Sequence, residues 1–183
     1  MHLDEVSFSA LKSLLISHDF SRTRPFRGAR KQVDYVQAAR EEGETIVQSF
    51  HQKLTKRGGH LFAVIADVCA MANTNGGVVF IGTPSDQKKT PTGVTNISRA
   101  LGTLKHEISR RITHTLTCSI ETLTTKGKRV ARINVPRGED PPYAIDHNKI
   151  YVRDEAETTL AVRDEIVQLT SSRLTTDSSS GPV

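Results

Sequence analysis

The sequence predicts an α/β (α+β) domain in which helices pack on a mixed, mainly antiparallel sheet. Three observations carry that expectation. An Ala-rich apolar run over residues 60–73 has helical length, breaks at Asn75-Gly76-Gly77, and is followed at once by the continuous apolar run 78–81 of a buried strand. Residues 118–123 and 130–135 alternate in polarity on either side of Lys126-Gly127-Lys128, as the arms of a β-hairpin do. Leu101, Leu104, Ile108 and Ile112 share one face of a helix placed between those strands.

In chain order, Phe8, Leu11, Leu14 and Leu15 fall at helical spacing, so residues 3–16 read as a short amphipathic helix within an N-terminal segment 1–18. Residues 19–32 lose periodicity, carry Pro25 and Gly28, and read as a basic arm or linker. The domain proper is expected over 33–172. It opens with a helix near 33–39 that ends at the acidic patch Glu41-Glu42-Gly43-Glu44, then a strand within 45–50. Residues 82–93 form a loop with two prolines and Lys88-Lys89, and Ser98 is placed to cap the helix that runs to about His114. Past Pro141-Pro142, a second pair of strands at 143–145 and 150–152 is expected around Asp146-His147-Asn148. Thr159 is placed to cap a last helix from Leu160 to about Ser171, and the Ser/Thr-rich residues 173–183 read as a disordered tail.

At 183 residues the chain has the length for one domain with tails. No run approaches the roughly 20 apolar residues of a membrane span, and Met1-His2-Leu3-Asp4-Glu5 is unlike a signal peptide, so a soluble, cytoplasmic protein without membrane contact is expected. Cys69 and Cys118 lie in apolar segments without metal-ligand spacing and read as small buried hydrophobes. The formal net charge of +5 favours anionic partners, and its distribution matters more than its size. Arg22, Arg24, Arg27, Arg30 and Lys31 fall within ten residues that contain no acid.

Several chemistries lack their residues. No GxxxxGK[ST] loop is present to hold nucleotide phosphates. His51, His60, His106 and His114 show no HExxH spacing, and Ser49 near His51 has no G-x-S-x-G elbow around it. Gly76 and Gly77, with Asn73 before them, read as a structural turn, since glycine reaches backbone angles that side chains forbid.

Three segments in order resemble one family. The run from Ala70 through Asn73-Thr74-Asn75-Gly76-Gly77 to Ile81-Gly82 resembles the helix–turn–strand core A-F-A-N-T-x-G-G-x-[IVL]-x-I-G of the Schlafen-type AlbA_2 domain. Arg132-Ile133-Asn134-Val135-Pro136 with Pro141-Pro142-Tyr143 is similar to its strand-and-proline block, and Ile150-Tyr151-Val152-Arg153 to its closing Y-[IV]-R strand. The resemblance spans about Glu44 to Val167. It implies a nucleic-acid-binding α/β fold and, in some members, an RNA endonuclease built on two glutamates in E-S-x-x-x-E-F-K and an aspartate after the I-G-[VT] strand. Clustered carboxylates of that kind hold a divalent ion that activates water. Here Glu44 matches the first glutamate, but Ser49 stands at the second, His51 at the lysine, and Thr83-Pro84-Ser85 follow Ile81-Gly82. A nuclease would have to use Glu42, Glu44 and Asp86, with Glu41 beside them, and would take Mg²⁺ or Mn²⁺; otherwise no cofactor is expected.

The leading expectation is a DNA- or RNA-binding domain rather than an enzyme, with a catalytically silent scaffold as a rival. Phosphate contacts are assigned to the arm (Arg22, Arg24, Arg27, Arg30, Lys31), to Lys56-Arg57, Lys88-Lys89, Arg110-Arg111, Lys126 and Lys128, and to Arg153. With three tyrosines, six phenylalanines and no tryptophan, the composition argues against an extended stacking platform. The resemblance also implies a groove formed by two lobes of this kind; the chain has length for one lobe, so a homodimer is expected to complete the groove.

Overall fold

The structure, a computed structural model, describes residues 34–177, with side chains as far as residue 171. The N-terminal helix and the basic arm expected from the sequence lie outside the described residues.

Helix α1 (Tyr35–Glu42) begins at Asp34, whose Oδ1 accepts from the Val36 and Gln37 amides at 3.2 and 3.1 Å. Gly43, at φ 82°, ends it. Strand β1 (Gln48–His51) leads through a 3₁₀ turn (Arg57–Gly59) into α2 (His60–Asn73), then β2 (Gly77–Ile81). Helix α3 (Ile97–Arg111) crosses to the hairpin β3 (Ser119–Thr125) and β4 (Lys128–Val135). The chain closes with β5 (Tyr151–Asp154), β6 (Glu157–Leu160) and α4 (Arg163–Asp177).

The four-stranded sheet runs β1-β2-β4-β3. β1 and β2 are parallel, joined through α2, with Phe50 opposite Phe80; the β2–β4 and β4–β3 pairs are antiparallel. β5 and β6 form a separate two-stranded hairpin. A mixed, mainly antiparallel sheet with packed helices is thus what the chain forms.

Alternation along the strands divides the apolar side chains between two cores. On one face Val79, Ile81, Ala131 and Ile133 pack against Val64, Val68 and Met71 of α2 and Leu104 and Ile108 of α3. On the other, Phe50, Phe80 and Val130 receive Val36 and Ala39 of α1. Phe50 and Phe80 stack with centroids 5.2 Å apart. Asp34 Oδ2 also accepts from Thr125 Oγ1 at 2.7 Å, which ties the start of α1 to the end of β3.

The turn after α2 is structural. Gly76 sits at φ 72°, and a Cβ there would meet the Val135 carbonyl oxygen at 2.8 Å; at Gly77, φ 156°, it would meet the Val47 carbonyl oxygen at 2.5 Å. Asn73 Nδ2 donates to the carbonyls of Tyr143 and Tyr151 at 2.9 and 2.8 Å, and its Oδ1 accepts from the Tyr143 amide at 2.7 Å. Asn73 therefore bridges the end of α2 to the closing segment.

Four local expectations need correction. Asn96 rather than Ser98 precedes α3: its φ of 49° is one asparagine tolerates, and starting there buries Ile97. The helix stops at Arg111, because Ile112 turns extended and bridges Ile145. The second hairpin is shifted along the chain. Ile145 and Lys149 do close a turn, but Asn73 occupies the Tyr143 backbone, and Tyr151–Asp154 pairs instead with Glu157–Leu160. Thr159 consequently faces Val152 in β6 and caps nothing; α4 starts at Arg163, where Glu165 Oε2 accepts from the Val162 amide at 2.8 Å, and its backbone continues to Asp177. No described helix is long and apolar enough to cross a membrane.

Candidate nucleic-acid interface

Phe62, in the first turn of α2, packs partly on the core and is ringed by cations. The Arg111 guanidinium carbon lies 5.0 Å from its ring centroid and Lys149 Nζ 5.3 Å, while Tyr151 meets it edge-on at 6.1 Å. Arg111 comes from the last turn of α3, where the helix dipole favours a cation. Lys149 comes from the 145–149 turn between β4 and β5, and Lys56 from the approach to α2. Asp146 holds Arg111 through both carboxylate oxygens, with Nε–Oδ1 at 3.0 Å. Glu107, buried, receives Arg110 Nη2 at 2.7 Å and has Lys56 Nζ at 3.6 Å.

The electrostatics of this flank follow from those pairs. The hydrogen bond from Arg110 holds the Glu107 carboxyl below the ordinary carboxylate range, and Arg111 does the same for Asp146. Lys56, Arg110, Arg111 and Lys149 thus face two ionised carboxylates, which leaves an excess of positive charge. Beside Phe62 lies a cleft of about 260 Å³ lined by Lys56, Leu61, Phe62, Glu107, Arg110 and Arg111.

Of the residues expected to contact phosphate, the structure brings Lys56, Arg110 and Arg111 together here. Arg57 is exposed in the neighbouring 3₁₀ turn. Lys126 and Lys128 are exposed at the β3–β4 hairpin tip, and Lys88 and Lys89 on the 82–93 loop, with Lys89 Nζ 3.7 Å from Asp86. The end of that loop runs beside β4, the Val94 amide donating to the Arg129 carbonyl at 2.8 Å. Arg22, Arg24, Arg27, Arg30 and Lys31 lie outside the described residues.

Arg153 is the exception. It is buried, its Nε and Nη2 donating to the carbonyls of Thr45 and Gln48 at 3.0 and 2.9 Å and its Nη1 to Thr158 Oγ1 at 3.0 Å. Its donors are spent holding β1 against the β5–β6 hairpin, so the expectation of a phosphate contact there is withdrawn.

Ser49 and His51, which stand where the endonuclease pattern has a glutamate and a lysine, join a different network. Ser49 Oγ donates to Asp67 Oδ2 at 2.5 Å, and His51 Nε2 lies 2.8 Å from the same oxygen. Arg153 Nη1 is 3.8 Å from Asp67 Oδ1. Burial raises the Asp67 pKa, but the hydrogen bond and charge of His51, with hydrogen bonds from Ser49 and Thr158, outweigh it and hold the carboxyl below 3.8. Serine and histidine both serve the carboxylate, an arrangement that aligns no base on the serine hydroxyl.

Glu41 and Glu42 end α1, and Glu44 is exposed before β1. Asp86 accepts from the Lys88 amide at 2.9 Å within its own loop. Among the described residues no three His, Cys, Asp or Glu side chains gather as metal ligands. The donor set around Ser49 offers one carboxylate, already held by His51 and Arg153, and does not fit a divalent ion that needs several oxygens.

Sequence reasoning missed four residues. Asp67 left a signal, since one acid inside the apolar run 60–73 must find partners when that helix is buried. Phe62 and Lys149 left none, because their meeting depends on how α2, α3 and the 145–149 turn pack. Arg40 was silent too. Fully buried, it donates to the carbonyls of Pro84 at 2.9 Å and of Asp86 and Lys89 at 2.5 Å, and so holds the loop that carries Lys88 and Lys89.

Comparison with known proteins agrees with the fold. The crystal structure of the DIP2311 protein from Corynebacterium diphtheriae is similar at a TM-score of 0.52 and 19% identity, over 70% of this chain and 27% of that one. This chain therefore spans about a quarter of that protein's length. The solution structure of the N-terminal domain of a "Putative ATP-dependent DNA Helicase RecG-related Protein" from Nitrosomonas europaea is similar at a TM-score of 0.47 and 17% identity, over 68% of this chain and 82% of that one. No curated protein matches. The model of the Schlafen, AlbA_2 family matches residues 42–162, from the end of α1 through the β5–β6 hairpin, and the chain belongs to that family.

Proposed function

We propose that this chain binds DNA or RNA, chiefly through the phosphate backbone. One observation carries the reading: Lys56, Arg110, Arg111 and Lys149, from three separate stretches of sequence, converge around Phe62 with charge to spare. Cations gathered on one flank supply sequence-independent affinity for a polyanion. Membership of the AlbA_2 family supports a nucleic-acid-related role. The basic arm Arg22–Lys31, Arg57, the 82–93 loop and the hairpin lysines add positive charge for a longer ligand.

The reading extends to a homodimer, in which two copies offer a polyanion a continuous surface. Among the described strands β3 is an edge of the four-stranded sheet, which supports pairing with a second copy there. Fluorescence anisotropy with a labelled duplex and a labelled RNA strand tests binding at low salt. Neutralising Arg110, Lys149 and Lys56 to Gln weakens binding by about tenfold or more. Unchanged affinity in that variant removes the Phe62 flank from the interface.

A further inference from the structure

The cleft beside Phe62 has a character that phosphate contact alone does not call for. Its rim is cationic, with Lys56 and Arg110, and its floor is apolar, with Leu61 and Phe62. A phosphate is bound by charges and amides and gains nothing from an apolar floor. A ligand with one anionic end and one flat, weakly polar body uses both. The cleft's volume of about 260 Å³ falls just short of the roughly 300–1,000 Å³ typical of small-molecule sites, so it suits one small unit rather than an extended cofactor.

From this we infer that the cleft is a subsite for one unpaired nucleotide of a nucleic-acid strand, its base on Leu61 and Phe62 and its phosphate on Lys56 and Arg110. The inference rests on the nucleic-acid-binding reading and deepens it, by assigning the site to single-stranded or looped segments. A base inside a duplex is stacked and paired on both sides and cannot enter such a cleft without being extruded, at a cost of a few kcal/mol.

Three further features fit. Arg111, locked by Asp146 through both carboxylate oxygens and seated over the Phe62 ring, fixes a cation and that ring together at the wall. Glu107 is the one anionic lining group. It anchors Arg110 and Lys56, and its carboxylate offers an acceptor to a base amino group. A second cleft of about 200 Å³, with Arg99 and Asn96 on its wall, shares Lys56 and Leu61 with the first. Two adjoining clefts with a cation between them match the alternation of base and phosphate along a strand. The shortage of aromatic residues argued against an extended stacking platform; one subsite needs a single ring.

The test uses the full chain with a ten-nucleotide uridylate strand and a ten-base-pair RNA duplex at one fixed salt concentration. The native protein binds the single strand about tenfold or more tighter than the duplex. Phe62→Leu keeps an apolar floor without the ring and loses about fivefold for the strand, the low end of one base–aromatic contact, with little change for the duplex. Lys149→Gln alters an exposed side chain beside the Phe62 ring, and weakens the strand more than the duplex. Equal affinity for strand and duplex, with parallel losses in both variants, overturns the nucleotide subsite while leaving phosphate binding in place. Strand affinity unchanged in both variants also overturns it. Binding of neither ligand by the native protein overturns the underlying reading as well.

Discussion

His51 Nε2 stands 2.8 Å from Asp67 Oδ2, the same oxygen that accepts the Ser49 hydroxyl, so one buried carboxylate of α2 fastens two successive inward side chains of β1. Arg153 completes the network from β5. A polar cluster of this kind is costly to bury and costlier to break, because each member leaves its partners unsatisfied when removed.

The first prediction concerns that carboxylate. Asp67→Asn lowers stability at pH 7 by about 2 kcal/mol, the scale of a hydrogen bond to a charged group. Because the folded pKa lies below 3.8, the native cluster contributes in full above that value, and the contribution is lost as pH falls through the folded pKa. The gap between native and variant therefore narrows in acid. Urea unfolding at pH 7 and pH 3 measures it, and a gap that is constant with pH contradicts the assignment.

The turn after α2 gives a second. Gly77→Val forces a β-branched residue to φ 156° and drives its Cβ against the Val47 carbonyl, so thermal unfolding reports a loss of about 2 kcal/mol or more. Nucleic-acid affinity per folded molecule stays as it is. A variant that keeps its melting temperature but loses binding would place these glycines in a ligand site instead.

Arg40 gives a third. Arg40→Met removes the guanidinium that ties the carbonyls of Pro84, Asp86 and Lys89 to α1, so amide exchange across residues 84–90 accelerates while α2 and β2 keep their protection. Uniform acceleration throughout the domain would show that Arg40 supports global stability and not this loop in particular.

The cysteines give a fourth. Burial pushes the thiols of Cys69 and Cys118 up to about 11, so neither is a thiolate at neutral pH. Alkylation at pH 8 is slow in the native protein and fast in urea. Rapid labelling of the folded protein at either position contradicts this.

How much of this was legible in the sequence depends on the range of the interactions involved. α2, β2 and the β3–β4 hairpin were, because apolar period, glycine turn and Lys126-Gly127 are local signals. In the segment from Pro141 to α4 local propensity points to the wrong pairing, because long-range partners decide the outcome there. Asn73, some 70 residues away, takes the backbone of Tyr143, and the hairpin forms one turn later than propensity suggested. The candidate site divides in the same way. Lys56, Arg110 and Arg111 were picked out by charge alone, and charge alone also picked Arg153, whose guanidinium the fold consumes. Charge names the cations; only packing tells which of them reach solvent.

Cations that hold an anionic backbone release counterions on binding, so the salt dependence of affinity reports on them directly. Log affinity for a single-stranded RNA falls linearly with log salt concentration, at about 0.7 per phosphate neutralised. Replacing Lys56, Arg110 and Lys149 together by Gln reduces that slope by about 2, in line with three lost contacts. A native slope near zero, or a slope identical in the triple variant, would contradict the account.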